Sequence, residues 1–422
     1  MVGTGLFDQA RGLTREQRNA FLAAWLGWAM DAFDFFLVVF VLTNIAKEFG
    51  ESTTTVAFLT TVTLIARPIG ALLFGIWADK KGRRIPLMVD VLFYSAMEVL
   101  SGLAPTFTVL IVLRFLFGLG MGGEWGLGAS LALEKIPAEK RGFWSGLLQQ
   151  GYPVGYLLAT LANFAITPYL GWRWLFVLGA VPALIAFLIR TRVGESEAWE
   201  RTQEKVAVTR VGPGKVFLQG KVFRRFLYLI VLMTLFNFMS HGTQDYVPTF
   251  LKEDLHASTG AVTLVAVIYN IGAIIGGAYF GALSERFGRR RTAALCAVLG
   301  IPVVFLFAYS PTLGLVTLGA FLLQVLVQGG WGVVPAHLAE LSPDEIRGFY
   351  PGVTYQLGNA IASFNLPLQA ALAASFSGSF ALAAVIVPVL VLTAVVLLVG
   401  PEARGKVFGA REQEHGEVGR AP

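Results

Sequence analysis

The amino-acid sequence predicts an all-α integral membrane protein of twelve transmembrane helices, arranged as two pseudo-symmetric six-helix bundles. The first observation is composition, because the 422 residues are 55% hydrophobic and only 14% charged, whereas soluble domains carry about 25% charged residues. The second is the recurrence of apolar runs of roughly 20 residues, the length that crosses a bilayer as a helix. The third is an internal repeat. The single Cys296 excludes a disulfide scaffold.

The predicted spans divide the chain into two halves. The N-terminal spans are 20–46, 54–79, 84–103, 107–134, 142–166 and 172–191. The C-terminal spans are 223–250, 259–283, 290–309, 312–338, 346–372 and 378–400. Residues 1–192 and 223–400 therefore form the two bundles. A polar cytoplasmic linker, 193–222, joins them, and a charged, Gly-rich tail, 401–422, is expected to be disordered.

Basic residues predict the orientation of the chain in the membrane. Of the 33 Lys and Arg, all but five fall in the termini and in the loops of one face. The exceptions are Lys47, Arg173 and Lys252 in loops of the other face, and Arg67 and Arg114 within spans. The positive-inside rule then places both termini in the cytoplasm. Because the basic clusters alternate with apolar spans, the net charge of +6 reflects membrane orientation, and no nucleic-acid partner is expected.

An offset of 206 residues aligns the two halves without a gap. Matched pairs include Gly75 with Gly281, Arg83 with Arg289, Trp125 with Trp331, Glu134 with Glu340, Arg141 with Arg347, and Gln150 with Gln356. Six helices are therefore duplicated in the same membrane orientation, as in transporters with parallel repeats. This symmetry predicts a site between the halves near the membrane midplane; the alternative is a duplicated scaffold without a cavity.

Polar residues on the seventh span form the first candidate site. They are Asn237, Ser240, His241, Gln244 and Asp245. Their spacing places all five on one face of a helix, and such a stripe must face protein or water. His241 can change protonation near neutral pH, and Asp245 is close enough to orient it. The alternatives are hydrogen bonds that only join helices, and a His241–Asp245 pair that is only structural.

Charged residues on the first two spans form the second candidate group. Asp31 and Asp34 lie three residues apart, and the offset of 206 places them opposite Asn237 and Ser240. Neighbouring buried carboxylates raise each other's proton affinity, so either could carry a proton, Asp34 being preferred. Arg67 can hold a carboxylate through two hydrogen bonds. The acids could instead be counter-ions of Arg67 or Arg114.

Three further sets of polar residues complete the sequence-level candidates. On the eleventh span, Gln356 and Asn359 could hold a hydroxyl or keto oxygen, or could make polar contacts that only support helix packing. Asp79 and Glu285, at the start of two basic loops, could close the cytoplasmic face by meeting helix N-termini and arginines; the alternative is that they are solvated loop charges. The arginines assigned to this gate are Arg83, Arg141 and Arg289. Asp90, Glu98 and His337 also lie in or near spans, with no role assigned.

Two loop sequences and one helix resemble a known superfamily. The loops are Gly75-Ile-Trp-Ala-Asp79-Lys-Lys-Gly82-Arg83-Arg84 and its repeat, Gly281-Ala-Leu-Ser-Glu285-Arg-Phe-Gly288-Arg289-Arg290. They resemble the signature loop of the major facilitator superfamily (MFS). The helix, from Arg114 to Trp125, is similar to that of its metabolite:proton symporters. This resemblance implies the MFS fold, and it assigns Arg114 to gating and Glu124 to proton coupling.

The seventh span carries a narrower resemblance. The sequence of this segment is Asn237-Phe-Met-Ser240-His241-Gly-Thr243-Gln244-Asp245-Tyr-Val-Pro-Thr249. It resembles the signature of Jen-type monocarboxylate:proton symporters, in the sialate:proton symporter group. It implies symport of lactate or pyruvate with a proton. Arg67, Asn237, His241, Gln244, Gln356 and Asn359 are then the expected substrate contacts. Asp31, Asp34, Glu124, His241 and Asp245 are the expected proton-coupling residues.

These features predict a secondary transporter of the plasma membrane (the inner membrane in a bacterium) and not an enzyme. The expected partners are a small carboxylate, a proton and the lipid bilayer, and no cofactor or metal is expected. One chain is expected to suffice for function. The alternative substrates are sialic acid and other organic acids. A nutrient receptor that binds without translocation is the alternative from a different functional class, and a multidrug antiporter and a membrane enzyme are less favoured.

Overall fold

The computed structural model describes residues 13–191, 194–209 and 213–408, and every long regular element within them is an α-helix. The N-terminal half contains α1 (Arg15–Phe49), α2 (Thr53–Lys81), α3 (Arg84–Gly102), α4 (Phe107–Lys135), α5 (Arg141–Gln149), α6 (Gly151–Leu170) and α7 (Trp172–Arg190). Between the halves lie α8 (Glu197–Thr209) and α9 (Pro213–Phe217). The C-terminal half contains α10 (Gly220–Gly242), α11 (Val247–Glu253), α12 (Thr259–Phe287), α13 (Arg289–Tyr309), α14 (Leu313–Leu341), α15 (Tyr350–Ala362), α16 (Asn365–Ser375) and α17 (Gly378–Val399).

The predicted all-α membrane fold is confirmed. Among the described residues, nine helices are long and apolar enough to cross a membrane. The fifth and eleventh predicted spans correspond to the broken pairs α5–α6 and α15–α16, and the sixth corresponds to α7. Caps define several of the ends. The Thr14 side chain, for example, accepts from the backbone of Gln17 at the start of α1, which satisfies an N–H group that the helix itself leaves unpaired.

The seventh predicted span, 223–250, falls within one candidate membrane span, Gly220–Glu253, but the helix along it is interrupted. Helix α10 ends at Gly242, and α11 begins at Val247 with Pro248 in its first turn. Proline has no backbone N–H and its ring crowds the carbonyl four residues earlier, here that of Gln244, which favours a break in the helix at this point. Gln244 and Asp245 consequently lie in a turn after α10, and their side-chain directions no longer follow its period.

Contacts between the halves concentrate at the end of the bundle that carries the basic loops, here called the basic face. Helix α5 packs against α12 and α14 of the other half, and α15 packs reciprocally against α2 and α4. Glycines allow this approach: a Cβ added to Gly126 would lie 2.7 Å from the Cα of Gly352. The described structure is therefore closed at its basic face.

The linker and the tail both contain described residues on the basic face. The linker includes α8 and α9. In the tail, Phe408 is buried, and Lys406 bonds to Asp344 at 3.0 Å. Burial lowers the pKa of the Lys406 ammonium from its ordinary value, because a cation loses hydration there. The predicted domain boundary at 192/193, residues 210–212 of the linker and residues 409–422 of the tail lie outside the described residues.

Candidate functional site

A cavity lies between the two halves and encloses about 530 Å³ of empty space, including its opening. The N-terminal half lines it with Trp28, Asp31, Ala32, Phe35, Leu64, Arg67, Gln149 and Tyr152. The C-terminal half lines it with Asn237, Ser240, His241, Gln328, Trp331, Tyr355 and Asn359. Both halves thus contribute to one polar and aromatic pocket, as the repeat predicts.

Arg67 and Asp31 form an ion pair on the N-terminal wall of this cavity. The Nη2 atom of Arg67 lies 2.7 Å from Oδ1 of Asp31, and the two residues are 4% and 1% exposed. Asp31 Oδ2 and Arg67 Nε have no hydrogen-bond partner within the described structure. Arg67 also lies 5.5 Å from the centre of the Phe35 ring. The pair therefore satisfies only part of the hydrogen-bonding capacity of either group.

His241 faces Arg67 from the C-terminal half, where the two side chains act on each other electrostatically. Its Nδ1 lies 3.0 Å from Oδ2 of Asp245, and its Nε2 lies 3.1 Å from Oδ1 of Asn359. The Asp245 carboxylate accepts a hydrogen bond from Nδ1, and the Asn359 amide oxygen can accept one from Nε2 when the ring is doubly protonated. Asp245 reaches this position from the turn after α10, and Asn359 reaches it from α15.

Amide and hydroxyl groups form a further part of the C-terminal wall. The Asn237 side chain donates to the backbone oxygen of Met233 at 2.8 Å, leaving its own oxygen available. Gln328 donates to the Ser240 hydroxyl at 3.4 Å. These neutral groups can hydrogen-bond an anion or a hydroxyl without adding charge to the cavity.

Aromatic side chains meet across the two halves beside this cavity, and the sequence reasoning missed them. The Trp28 and Tyr152 rings stack with centres 5.7 Å apart, and the Trp125 and Tyr355 rings with centres 4.4 Å apart. Trp331 lies edge-on to Tyr355 at 5.8 Å. The pairing of Trp125 with Trp331 at the repeat offset was the available signal, because both belong to this cluster.

Several predicted site residues lie outside the cavity wall. Gln244 donates to Gln324 at 3.2 Å. Gln356 is buried, and neither polar atom of its side chain has a hydrogen-bond partner in the described part of the chain. Glu124 is buried and acts electrostatically on Asp31. Asp34 is also buried, with an oxygen 3.1 Å from where a Cβ on Gly179 would stand.

Arg114 lies in the interior of the N-terminal half and not at the basic face. Its Nη1 lies 2.5 Å from Oε2 of Glu98, and its guanidinium covers the Phe117 ring at 3.8 Å. The structure therefore places Arg114 with Glu98 and not with the other predicted gate residues.

Charged residues at the basic face form a first cluster that crosses the two halves. Asp79 lies 2.6 Å from Arg83 and accepts from the backbone N–H groups of Gly348 and Phe349, just before α15, at 2.6 and 3.2 Å. Glu134 lies 3.4 Å from Arg83 and 3.6 Å from Arg347. A carboxylate at a helix N-terminus also interacts favourably with the helix dipole. The cluster thus joins the N-terminal half to the start of α15.

A second cluster repeats the first at an offset of 206 residues. Glu285 accepts from the backbone of Gly142 at the start of α5 and lies 3.1 Å from Arg289. Glu340 lies 3.0 Å from Arg289 and 3.2 Å from Arg141. Glu134 and Glu340 were not among the predicted gate residues, although they matched in the repeat. Each shares its carboxylate between arginines of both halves.

Comparison with known proteins identifies the superfamily. The family model described as Major Facilitator Superfamily matches residues 24–252 and 230–421. The chain belongs to the major facilitator superfamily. It is therefore a membrane transporter and not an enzyme, with the two-domain architecture of that superfamily.

The chain is similar in sequence to known transporters and similar in fold to a solved transporter structure. The chain is 28% identical over 396 residues to a carboxylic acid transporter protein homolog of Saccharomyces cerevisiae, covering 86% of this chain and 63% of that protein. It is 29% identical over 396 residues to the sialic acid transporter NanX of Escherichia coli, covering 93% and 96%. The proton:xylose symporter XylE matches with a TM-score of 0.73 at 20% identity, covering 93% and 98%. The named sequence relatives are organic-acid transporters, and the solved structure supports the fold.

Proposed function

We propose that this transporter moves a small monocarboxylate, with lactate and pyruvate as the candidate substrates, together with a proton. The ion pair between Arg67 and Asp31 is the observation that carries the proposal. A guanidinium facing the cavity is suited to a carboxylate, and in the described state Asp31 is its carboxylate partner.

Competition for Arg67 couples the substrate to the proton. The substrate carboxylate replaces Asp31 at the guanidinium, and Asp31 is then left buried without its cation. An unpaired buried carboxylate is costly and takes up a proton instead. One carboxylate and one proton thus enter together, and the net charge of the cavity does not change.

His241 provides the second contact for the anion from the opposite half. As imidazolium it attracts a carboxylate lying between it and Arg67, while Asp245 and Asn359 hold the ring in place. Asn237 and Ser240 are suited to the 2-hydroxyl or 2-keto oxygen of the substrate. Because the anion joins groups from both halves, its binding favours the closure of the halves around it.

Transport requires the protein to alternate between two conformations, one in which the cavity is closed at the basic face and one in which it is closed at the opposite face. In the described state the two charged clusters close the basic face. Breaking them while the opposite face closes would expose the cavity to the basic side by rocking of the halves. We place the protein in the plasma membrane with both termini cytoplasmic, since the basic loops then lie inside, and we expect a single chain to function.

Sialic acid and other larger acids form the alternative substrate class, favoured by the likeness to NanX. They carry the same carboxylate but need more space and more hydroxyl contacts. Competition for uptake among lactate, pyruvate, succinate and sialic acid separates these candidates. A receptor that binds without translocation would show binding but no uptake.

Uptake into proteoliposomes tests the proposal. A pH gradient, acidic outside, should drive accumulation of labelled lactate or pyruvate, and dissipating the gradient should remove it. Replacement of Arg67 by Gln should weaken binding by roughly 10- to 100-fold, since a charged hydrogen bond contributes about 1.5–3 kcal/mol. Arg67→Lys, which keeps the charge, should retain part of it. Equal uptake with and without the gradient would contradict proton coupling.

A further inference from the structure

Three helix ends meet at the basic face of the C-terminal half around a recess of about 860 Å³ that is open to solvent. They are the end of α12, the start of α13 and the chain just after α17. The recess is lined by Arg286, Phe287, Gly288, Arg290, Arg291, Glu402 and Arg404. Four arginines and one glutamate give it a net positive charge.

Backbone contacts hold two of these arginines in the wall of the recess. Arg290 donates to the backbone oxygen of Leu398 at 3.0 Å, and Arg404 donates to that of Arg286 at 2.8 Å. Both contacts satisfy carbonyl groups that a helix leaves unpaired at its C-terminal end. Glu402 accepts from the backbone of Arg290 at 3.2 Å, so its carboxylate caps the start of α13. These bonds join the three helix ends and define the shape of the recess.

Arg286 and Arg291 have no such role in the wall. Both side chains are exposed, and neither has a hydrogen bond or an ion pair to any residue that the structure describes. Two like charges that line one recess repel each other, so a bound anion would stabilise both. Guanidinium groups match phosphate in particular, because each can donate two parallel hydrogen bonds to it.

The recess lies where membrane-spanning helices end. Candidate spans end at Phe287 and Val399, and another begins at Arg289. Exposed apolar side chains continue from Arg291 along α13, namely Leu295, Val298 and Leu299. Their spacing of four, seven and eight residues places them on the same helix face as Arg291. An anion held by the arginines therefore has an apolar surface directly beside it.

The N-terminal half shows that the fold does not require this arrangement. There Glu195 accepts from the backbone of Arg84 at 3.1 Å, as Glu402 does from the start of α13. At the repeat offset of 206 residues, however, Arg291 corresponds to Ile85, which is 56% exposed. The carboxylate cap is thus common to both halves, whereas the unpaired guanidinium above an apolar helix face belongs to the C-terminal half.

We infer that this recess binds the headgroup of an anionic phospholipid, with the phosphate on Arg286 and Arg291 and the acyl chains along the exposed face of α13. A lipid of this class matches both the charge of the recess and the apolar surface beside it, whereas a soluble phosphate would use the arginines alone. In the proposed orientation the recess faces the cytoplasmic leaflet, whose anionic lipids are attracted by basic residues at the ends of spans. The site requires no particular transported substrate.

Native mass spectrometry of the purified protein tests this site. The protein is titrated with phosphatidylglycerol and with phosphatidylcholine of identical acyl chains, so that the two lipids differ in headgroup charge. The wild type should prefer the first phosphatidylglycerol. The double variant Arg286→Gln, Arg291→Gln should weaken its binding by roughly 10- to 30-fold. The variant should keep its fold, because both side chains are exposed and without partners in the described structure.

A second double variant provides the matched control. Lys80→Gln, Lys81→Gln removes two exposed charges from the corresponding loop of the N-terminal half and should retain the preference for phosphatidylglycerol. Arg286→Lys, Arg291→Lys keeps the charge but loses the paired donors, and its affinity should lie between those of the wild type and the glutamine variant. Inorganic phosphate is added as a soluble competitor and should displace the lipid poorly.

Equal binding of the two lipids by the wild type would overturn the inference, as would an equal loss in the two glutamine variants. Displacement of phosphatidylglycerol by inorganic phosphate at similar concentration would indicate a site for a soluble anion and would also overturn it. Uptake of a carboxylate is not part of the measurement, so failure of the proposed function would leave this test unaffected.

Discussion

Arg67 combines a permanent charge with a partner that can be neutralised by a proton. Its bond to Asp31 is short, but Asp31 keeps one oxygen without a partner. A buried pair of this kind is close to balanced between Coulomb attraction and lost hydration. A competing anion can therefore displace Asp31 once a proton is supplied, which is the condition for coupled binding.

Replacing Asp31 by Asn should separate binding from coupling. Asn cannot ionise, so Arg67 would be available to the substrate at every pH. We expect carboxylate affinity to lose the part of its pH dependence that comes from protonation of Asp31, while the part that comes from His241 remains, and we expect gradient-driven accumulation to disappear. Calorimetric binding at several pH values measures the first effect. Glu51→Gln, an exposed carboxylate beyond the end of α1, is the control, and a variant as pH-dependent as this control would contradict the role of Asp31.

At the scale of single elements, the segment after α17 contributes to closure of the basic face. Arg141 and Arg347, from opposite halves, both make cation–π contacts with Phe408. Their Cζ atoms lie 3.7 and 3.8 Å from the centre of the Phe408 ring. Arg141 also donates to the backbone oxygen of Lys406 at 2.9 Å. The aromatic ring thus contacts two like charges, one from each half, and the ring and both arginines are buried.

Replacing Phe408 by Ala should favour opening of the basic face. The substitution removes both cation–π contacts and a buried ring, and truncation of a buried Phe costs about 3–5 kcal/mol in well-packed sites. Alkylation of a Ser130→Cys probe at the interface between the halves measures the opening. The native Cys296 is buried and gives little background. Val407→Ala, at a half-exposed neighbour, is the control. Equal labelling in the two variants would contradict a role for Phe408.

At the scale of the whole molecule, two charged clusters related by the repeat close the basic face together. Glu134 and Glu340 each contact arginines of both halves, and all four arginines of the clusters are buried. The backbone donors at the starts of α5 and α15 add further bonds. All of these bonds would be broken together on opening, so closure should behave as a cooperative property of both halves.

The variants Glu134→Gln and Glu340→Gln should therefore open the basic face to a similar degree. Each leaves two buried arginines without their shared carboxylate, at a cost of about 3–5 kcal/mol to the closed state. Spin labels at Glu139 and Glu345, which correspond at the repeat offset, report the distance across this face. Longer distances should become populated in both variants. A change in only one variant, or in neither, would contradict equivalent roles for the two clusters.

The helical spacing of polar residues in the sequence predicted most of the charged and polar residues that line the cavity. It did not predict correctly for every polar residue whether its side chain reaches the cavity. Asp31, Arg67, Asn237, His241 and Asn359 line one cavity. Asp34 does not, because residues three apart on a helix differ by about 60° in direction, and rotation of α1 presents only one of the two to the cavity. Gln244 was misplaced for a different reason, since the break before Pro248 ends the helical period.

By itself, the sequence determined the membrane fold, the duplication and the charged loops, because hydropathy and the repeat are properties of the linear chain. Only the tertiary structure decided which carboxylates share which arginine. It also brought Phe408 into contact with both Arg141 and Arg347, and placed the Trp28 and Tyr355 ring centres 6.3 Å apart. These partners lie far apart in sequence, and their contact depends on the rotation and tilt of packed helices, which no periodic pattern within one helix specifies.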